Sequence, residues 1–283
     1  MEFSSQLFHL SQSHLTLLRQ CPRKFQYIYL DQLTLPPVPT VQTERQLLGT
    51  QFHQMMQQKV LGLDVNGLVA ACAPLRQWAE AFKQFPPTLI DGERQTEHWR
   101  SQVLGEYVLI AVYDLLIQGE SHAQIVDWKT YARPRSVEVL HRDWQTRLYP
   151  YLLAETSTYA PEQITMTYWF AEAAEAAEGT GHSLTFAYDQ HQHEETAEML
   201  VTNLERLTDW RAAHAQGVPF PQVPLSAGMC FRQGRSCRFV DRCERQDFIM
   251  DAQEEPDLEA LACIDGIAEQ PLLAMPSSSP GRN

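Results

Sequence analysis

The sequence lacks the features by which a chain enters or crosses a membrane. Its 283 residues contain no apolar run near the roughly 20 residues that a membrane-spanning helix needs. Residues 1–15 show no basic segment followed by an apolar one, so no secretory signal peptide is expected. These absences predict a soluble, cytoplasmic protein that has no membrane partner.

Positive charge is also scarce, since 22 basic side chains face 35 acidic ones and the net charge is −13. An acidic protein is at first sight a poor partner for phosphates. The excess is confined to two segments, because residues 171–200 hold seven acids and no Lys or Arg, and residues 251–283 hold seven acids and one Arg. The other 220 residues carry 21 bases and 21 acids, so a local basic patch can still bind DNA. The candidate DNA-binding patch comprises Arg133, Arg135, Arg142 and Arg147.

Cysteine is infrequent, and six residues at uneven intervals do not indicate a disulfide framework. Three of them, Cys230, Cys237 and Cys243, fall within fourteen residues of a segment rich in Gly and Arg, which favours metal ligands over free thiols. Zinc and an iron–sulfur cubane both take four thiolates. The fourth ligand is one of three remaining cysteines: Cys21, Cys72 and Cys263.

Cys21 has the most suitable local sequence of the three. Pro22 predicts a helix that begins there, with Cys21 as its N-cap. The helix dipole is expected to lower the pKa of that thiol and to favour the thiolate. The alternative is a half-buried core cysteine.

Residues 107–130 predict a β-hairpin, because two apolar, β-prone runs flank a polar loop that contains Gly119. A turn between Glu120 and Ser121 places Asp114 opposite Asp127, and Lys129 shares a strand face with Asp127. Two carboxylates and a lysine on one face are costly to bury unless a cation or an anionic substrate joins them. The pattern therefore indicates a divalent-metal phosphodiester site. The alternative is a pair of edge strands with solvated charges.

Two predicted helices flank the hairpin. The first covers residues 44–60 and places Gly49 and His53 on one face, where His53 is either a metal ligand or a structural residue. The second covers residues 142–155 and places Gln145 and Tyr149 on one face. Glu97 lies within a strand predicted for residues 93–104, and Glu106 lies just after it. Both are further candidate ligands.

Five segments in order carry a resemblance: SQSHLTLLRQCPRKF, GTQFH, AVYD, IVDWKT and QTRLY. With the three C-terminal cysteines, they make the chain resemble a RecB-like nuclease of the PD-(D/E)XK superfamily, in the branch that carries an iron–sulfur cluster. That branch includes CRISPR-associated exonucleases and the nuclease domains of AddB-type recombination subunits. The resemblance spans residues 11–243. It implies an α/β, restriction-endonuclease-like fold, with a mixed central sheet flanked by helices and with the N- and C-terminal segments joined by a cysteine metal cluster.

The resemblance also implies a role for each matched residue. His53, Asp114, Asp127 and the carbonyl of Trp128 would hold Mg²⁺ or Mn²⁺, while Lys129 would orient the attacking water or stabilise the scissile phosphate. Gln145 and Tyr149 would support the site and contact the DNA. The ligands of a 4Fe–4S cluster, with zinc as the alternative metal, would be Cys21, Cys230, Cys237 and Cys243.

The implied activity is a Mg²⁺- or Mn²⁺-dependent deoxyribonuclease, an exonuclease on single-stranded or end-containing DNA in repair, recombination or CRISPR-type processing. A separate helicase, recombination or CRISPR subunit is the expected protein partner, because the sequence has no helicase motif. The alternative is a catalytically degenerate DNA-binding or scaffolding subunit with a structural metal site. The expected domains are a nuclease at residues 1–250 and an acidic, disordered tail at residues 251–283.

Three features depart from the family pattern. Ala111 stands where a glycine usually precedes the first aspartate. Pro150 lies within the Gln–Tyr helix and is expected to kink or end it. The cysteines follow C-x6-C-x5-C with Gly234 in the place of a middle cysteine, whereas the family often has C-x2-C-x5-C, so a stretched ligand geometry is expected.

Overall fold

The computed structural model describes residues 7–33, 40–132, 136–172, 182–232 and 235–245. The α-helices in these ranges are α1 (Gln12–Gln20), α2 (Pro22–Phe25), α3 (Thr40–Val60), α4 (Asn66–Ala71), α5 (Ala73–Gln84), α6 (Val137–His141), α7 (Trp144–Glu155) and α8 (Gln190–His214). The strands are β1 (Phe8–Leu10), β2 (Glu93–Leu104), β3 (Tyr107–Gln118), β4 (Ala123–Ala132), β5 (Ile164–Glu172), β6 (Ser183–Ala187), β7 (Phe231–Arg232) and β8 (Arg235–Ser236). The predicted tail at residues 251–283 lies outside the described ranges.

Strands β1 to β6 form one mixed sheet in which β3 is central. β3 pairs antiparallel with β2 along its length and with β4 at its C-terminal end, and it pairs parallel with β1 at its start. β5 lies parallel to β4, and β6 is antiparallel to β5. The apolar sequence YVLIAVYDLLIQ suits β3, because a central strand covered on both faces must bury most of its side chains.

Helices cover both faces of the sheet and bury a separate core under each. On one face, α1, α7 and α8 pack over a core that includes Leu116, Leu148 and Leu204. On the other face, α3 and α5 pack over Phe52, Trp78 and Trp169 among others. A mixed sheet flanked by helices is the architecture expected of a restriction-endonuclease-like fold, so that prediction is confirmed at this level. No helix in the described ranges is both long and apolar enough to span a bilayer.

The predicted hairpin register is confirmed. The pairs run from Leu115 opposite Val126 to Gln118 opposite Ala123, and the amide of Gly119 donates to the carbonyl of His122 across 2.9 Å. The edge-strand alternative is wrong, because β3 and β4 each have a neighbouring strand on both sides.

The helix predicted for residues 142–155 differs from the observed structure at its start and at its proline. The chain forms α6 first and then α7, whose N-cap is Asp143. α7 continues through Pro150 instead of ending there. The proline removes only the bond that its amide would have donated to Thr146, and the surrounding residues Leu148 and Leu152 are fully buried, which holds the helix together.

Candidate active site

The carboxylate of Asp114 lies where β3 and β4 stop pairing. The last cross-strand pair before it is Leu115 with Val126, and the backbone amide of Trp128 donates to Oδ2 of Asp114 across 2.7 Å. The side chain thus replaces the strand carbonyl as the acceptor for that amide. This contact holds Asp114 at the opening between the two strands, next to Asp127.

Asp127, Lys129 and Gln145 form one buried network. Nζ of Lys129 lies 2.5 Å from Oδ1 of Asp127, as expected for side chains two residues apart on a strand. Gln145 uses both ends of its amide: Nε2 donates to Oδ2 of Asp127 at 2.5 Å, and Oε1 accepts from Lys129 at 2.6 Å. Gln145 is fixed in turn, because its backbone amide donates to the N-cap carboxylate of Asp143 across 2.9 Å.

His53 reaches the site from α3, on the other face of the sheet. Its Nδ1 lies 3.1 Å from Oδ1 of Asp114, and about a third of its side chain is exposed. One turn earlier, Gly49 lies against β4, where a Cβ at this position would be 3.2 Å from Oγ1 of Thr130. The glycine therefore allows the close approach of α3 that brings His53 to Asp114.

The charges of the site perturb one another strongly. Burial raises the pKa of Asp127 to about 6, although Lys129 opposes the shift. Burial acts against ionisation at His53 and Asp114 as well, but their mutual attraction prevails, so the pKa of His53 rises to about 9 and the pKa of Asp114 falls. The pKa of Lys129 is also raised, because Asp127 outweighs the effect of burial. Clusters of perturbed groups are typical of functional sites.

Tyr149 and Trp128 lie at the site with their side chains buried. The ring of Tyr149 packs edge-on against Tyr113 at 5.2 Å, and burial raises the pKa of its hydroxyl. The indole of Trp128 packs against Phe82 and Trp169. Trp128 therefore contributes its backbone to the site.

Glu97 belongs to this site by register, while Glu106 does not. The pairs on either side of it, Thr96 with Leu115 and His98 with Tyr113, place Glu97 opposite Asp114. Glu97 has a φ of 50°, an uncommon conformation for a residue other than glycine, and burial together with Asp114 raises the pKa of its carboxyl. The pairing follows from the position of the β2–β3 turn, so predicting that turn from the sequence would also have predicted the pairing. Glu106 lies at the far end of β3 and pairs with Arg211 at 3.7 Å.

The structure describes two of the four candidate DNA-binding arginines, Arg142 and Arg147. Arg133 and Arg135 lie outside the described residues. Arg142 is exposed just before α7, and its carbonyl accepts from Arg19 at 2.7 Å. Arg147 pairs with Glu195 of α8 at 3.2 Å, and two residues along a helix place it on the side away from Gln145.

The four candidate cluster cysteines, Cys21, Cys230, Cys237 and Cys243, line one pocket. Between Cys230 and Cys237, β7 and β8 pair antiparallel, and the amide of Cys237 donates to the carbonyl of Cys230 across 2.7 Å. The two cysteines are thus neighbours across the hairpin, and the longer spacing does not separate them. Within the described part of the chain, no three His, Cys, Asp or Glu side chains have the arrangement of a metal site.

The expected effect of the helix dipole on Cys21 is wrong. Cys21 is the N-cap of α2, but α2 has only four residues, and burial raises the pKa of the thiol despite hydrogen bonds from backbone amides. Burial likewise raises the pKa of Cys243, with a further contribution from Cys21. Clustered thiols of this kind resist ionisation until a cation joins them.

Comparison with known proteins agrees with this geometry. The model of the PD-(D/E)XK nuclease superfamily matches residues 9–244. No curated protein matches the chain. A crystal structure of a candidate exonuclease from Eubacterium rectale is 12% identical with a TM-score of 0.47, and the match covers 73% of this chain and 83% of that one. The structure of SSO0001 is 11% identical with a TM-score of 0.33, and the match covers 72% of this chain and 78% of that one. The identities and TM-scores of these two structures are too low to support an argument about function. The family match covers most of the sequence and all of the site described above, and on that match the chain belongs to the PD-(D/E)XK nuclease superfamily.

Proposed function

We propose that this protein is a Mg²⁺- or Mn²⁺-dependent deoxyribonuclease that acts as an exonuclease on single-stranded DNA or on DNA ends. The observation that carries the proposal is the buried network in which Gln145 joins Asp127 to Lys129 beside Asp114. A structural role alone does not call for such a network, because burying these charges costs more free energy than apolar side chains of similar size would.

The donor set suits a hard divalent cation. Asp114 and Asp127 offer carboxylate oxygens and His53 offers an imidazole nitrogen, which Mg²⁺ and Mn²⁺ accept. Lys129 and His53 now lie against the carboxylate oxygens that a cation would take. Metal binding therefore requires His53 to lose the proton that its partnership with Asp114 favours. When bound, the cation would neutralise the phosphate and lower the pKa of a water molecule.

The protein's own groups supply the rest of the chemistry. The ammonium of Lys129, held between Asp127 and Gln145, is a fixed positive charge within the site. It is placed to stabilise the negative charge that grows on the scissile phosphate in the transition state. Asp127 and Gln145 keep that charge in position, so no reorganisation is needed as the reaction proceeds.

We also propose that the four cysteines bind a 4Fe–4S cluster, which would place the chain in the iron–sulfur branch of the superfamily. The four thiols line one pocket, which supports a group held by all of them; both a 4Fe–4S cubane and tetrahedral zinc take four thiolates, so zinc remains the alternative. Such a cluster would join α1 and α2 to the hairpin of β7 and β8.

The test of the activity is cleavage of three substrates: end-labelled single-stranded DNA, blunt duplex DNA and circular single-stranded DNA. We expect mononucleotides or short products from the linear single strand with Mn²⁺, none with EDTA, and none from the circle. Cleavage of the circle would show an endonuclease. Tight DNA binding without any metal-dependent cleavage would instead support the degenerate, scaffolding alternative.

A further inference from the structure

A tryptophan lies open to solvent beside the candidate active site. Trp99 of the edge strand β2 is 49% exposed, and Val103 on the same face is 60% exposed. Large apolar side chains grouped on a surface commonly mark a binding site. About half of the Trp99 surface is thus available to a ligand.

Trp99 lies on the face of the sheet from which His53 contacts Asp114. Its neighbour His98 stacks over Tyr113 at 6.2 Å, and Arg100 donates to the carbonyl of Thr156 at the end of α7 across 2.7 Å. Both of these residues point to the α7 face of the sheet. Trp99 between them must point to the opposite face, which is the face from which Asp114 meets His53.

Trp99 lies about as far from Asp114 as neighbouring nucleotides lie from each other in a DNA strand. Trp99 pairs with Val112, two residues from Asp114, which corresponds to about 7 Å along the strand. A DNA strand whose scissile phosphate lies beside Asp114 therefore has an adjoining base within reach of the indole.

The local charge favours a base over a phosphate as the group that contacts Trp99. Glu97, two residues away on the same strand, would repel any phosphate that the cation at the site does not neutralise, whereas a base is uncharged. Indole surfaces bind any unpaired base by stacking, because every base has a π-face. Bases within a duplex already stack on each other and are not available.

We propose that Trp99 is the stacking platform for an unpaired base next to the scissile phosphate, and that it selects single-stranded DNA. This inference rests on the proposed nuclease function and adds the substrate class and a residue that recognises it. Since stacking on an aromatic side chain does not depend on base identity, the platform accepts any sequence.

The test measures the affinity of the full chain for labelled oligothymidylate and for a blunt duplex, in EDTA so that no cleavage occurs. Trp99→Ala is expected to weaken single-strand binding by about 5- to 100-fold and to leave duplex binding unchanged. Trp99→Phe keeps an aromatic face and should stay within a few-fold of the wild type. Val201→Ala, at an exposed position of α8, is the control and should have no effect.

An oligothymidylate with one abasic residue, moved along the strand, shows whether the contact is with a base. At one position the wild type should lose the affinity that Trp99→Ala loses, and the Trp99→Ala variant should lose nothing more. Equal affinity of the wild type and Trp99→Ala for the normal strand would overturn the inference. So would a concentration-dependent dimer that only the wild type forms, because Trp99 would then contact a second copy of the chain.

Failure of this inference is distinguishable from failure of the proposed function. A wild type that cleaves DNA with Mn²⁺, with Trp99→Ala binding single strands equally well, refutes the stacking role alone. A folded wild type that neither binds nor cleaves DNA refutes the nuclease. The melting temperature of each variant shows whether substitution at this exposed position leaves the fold intact.

Discussion

Gln145 donates to Asp127 across 2.5 Å while it accepts from Lys129, so one amide fixes both the carboxylate and the ammonium of the candidate site. Both contacts depend on the start of α7, where Asp143 caps the helix and receives the backbone amide of Gln145. The position of the helix N-terminus thus sets the position of the charged groups. Gln145 is a positioning residue for Lys129 in this account.

Replacing Gln145 by methionine keeps the length of the side chain and removes both hydrogen bonds. We expect kcat to fall by about 10- to 100-fold, because small losses of orientation at a reacting group cost this much. KM should change less than kcat, since the substrate-binding groups remain. Steady-state cleavage of single-stranded DNA gives both constants. Gln102→Met is the control, because Gln102 bonds Glu155 on the surface of β2. A kcat within two-fold of wild type would refute the positioning role.

Gly49 and Thr130 form a pair that can be tested by compensation. In Gly49→Ala the new methyl group would lie 3.2 Å from Oγ1 of Thr130, closer than most such contacts. A shift of a few tenths of an ångström relieves the contact, and we expect α3 to move and to carry His53 with it. The free energy of unfolding should change little, because the helix preference of alanine, about 1 kcal/mol over glycine, offsets the cost of the close contact. Cleavage should fall, and Thr130→Ala in the same chain should restore it by removing the oxygen. Unchanged cleavage in Gly49→Ala would show that the close approach is not required.

The buried His14 should make stability depend on pH. Its Nδ1 lies 2.8 Å from Oγ of Ser11, its ring stacks on Tyr29 at 4.1 Å, and burial lowers its pKa to about 4. An unfolded histidine binds a proton below about pH 6.5. The unfolded state is therefore favoured as the pH falls from 6.5 to 4, with a total loss of about 3 kcal/mol.

His14→Gln removes this titration and keeps an acceptor for the backbone amide of Ser11. Urea unfolding of the two proteins at several pH values measures the difference. We expect the wild type to lose stability relative to His14→Gln between pH 6.5 and 4 and to follow it above pH 7. Parallel curves across the whole range would show that His14 is protonated equally in both states.

The cysteine pocket predicts a difference between two single substitutions. Cys230→Ser removes a thiol that lines the pocket, whereas Cys72 lies apart from it, between α4 and α5. After anaerobic purification we expect a brown wild type with about four iron and four sulfide per chain. Cys72→Ser should keep that content and Cys230→Ser should lose most of it. A colourless wild type that contains one zinc would contradict the cluster and favour the alternative metal.

The sequence predicted the elements that local patterns determine. The register of β3 and β4 followed from apolar runs around one turn, and the spacing of Asp127 and Lys129 followed from the strand period. Contacts between segments far apart in the sequence were harder to predict. The place of Glu97 opposite Asp114 required the β2–β3 turn, and the partner of Arg147 on α8 could not be read from its own helix. The continuity of α7 through Pro150 depends on burial by neighbouring elements, which outweighs the intrinsic effect of proline.

We propose that Lys129, held by Asp127 and Gln145, acts on a scissile phosphate together with a divalent cation. Single-turnover cleavage of end-labelled single-stranded DNA in Mn²⁺, by the wild type and by Lys129→Met, measures this role. Lys83→Met, at an exposed position of α5, is the control. We predict rapid cleavage by the wild type and the control, and a loss of at least about 1,000-fold in Lys129→Met with DNA binding retained. Cleavage by Lys129→Met at the wild-type rate would show that the ammonium has no part in the reaction.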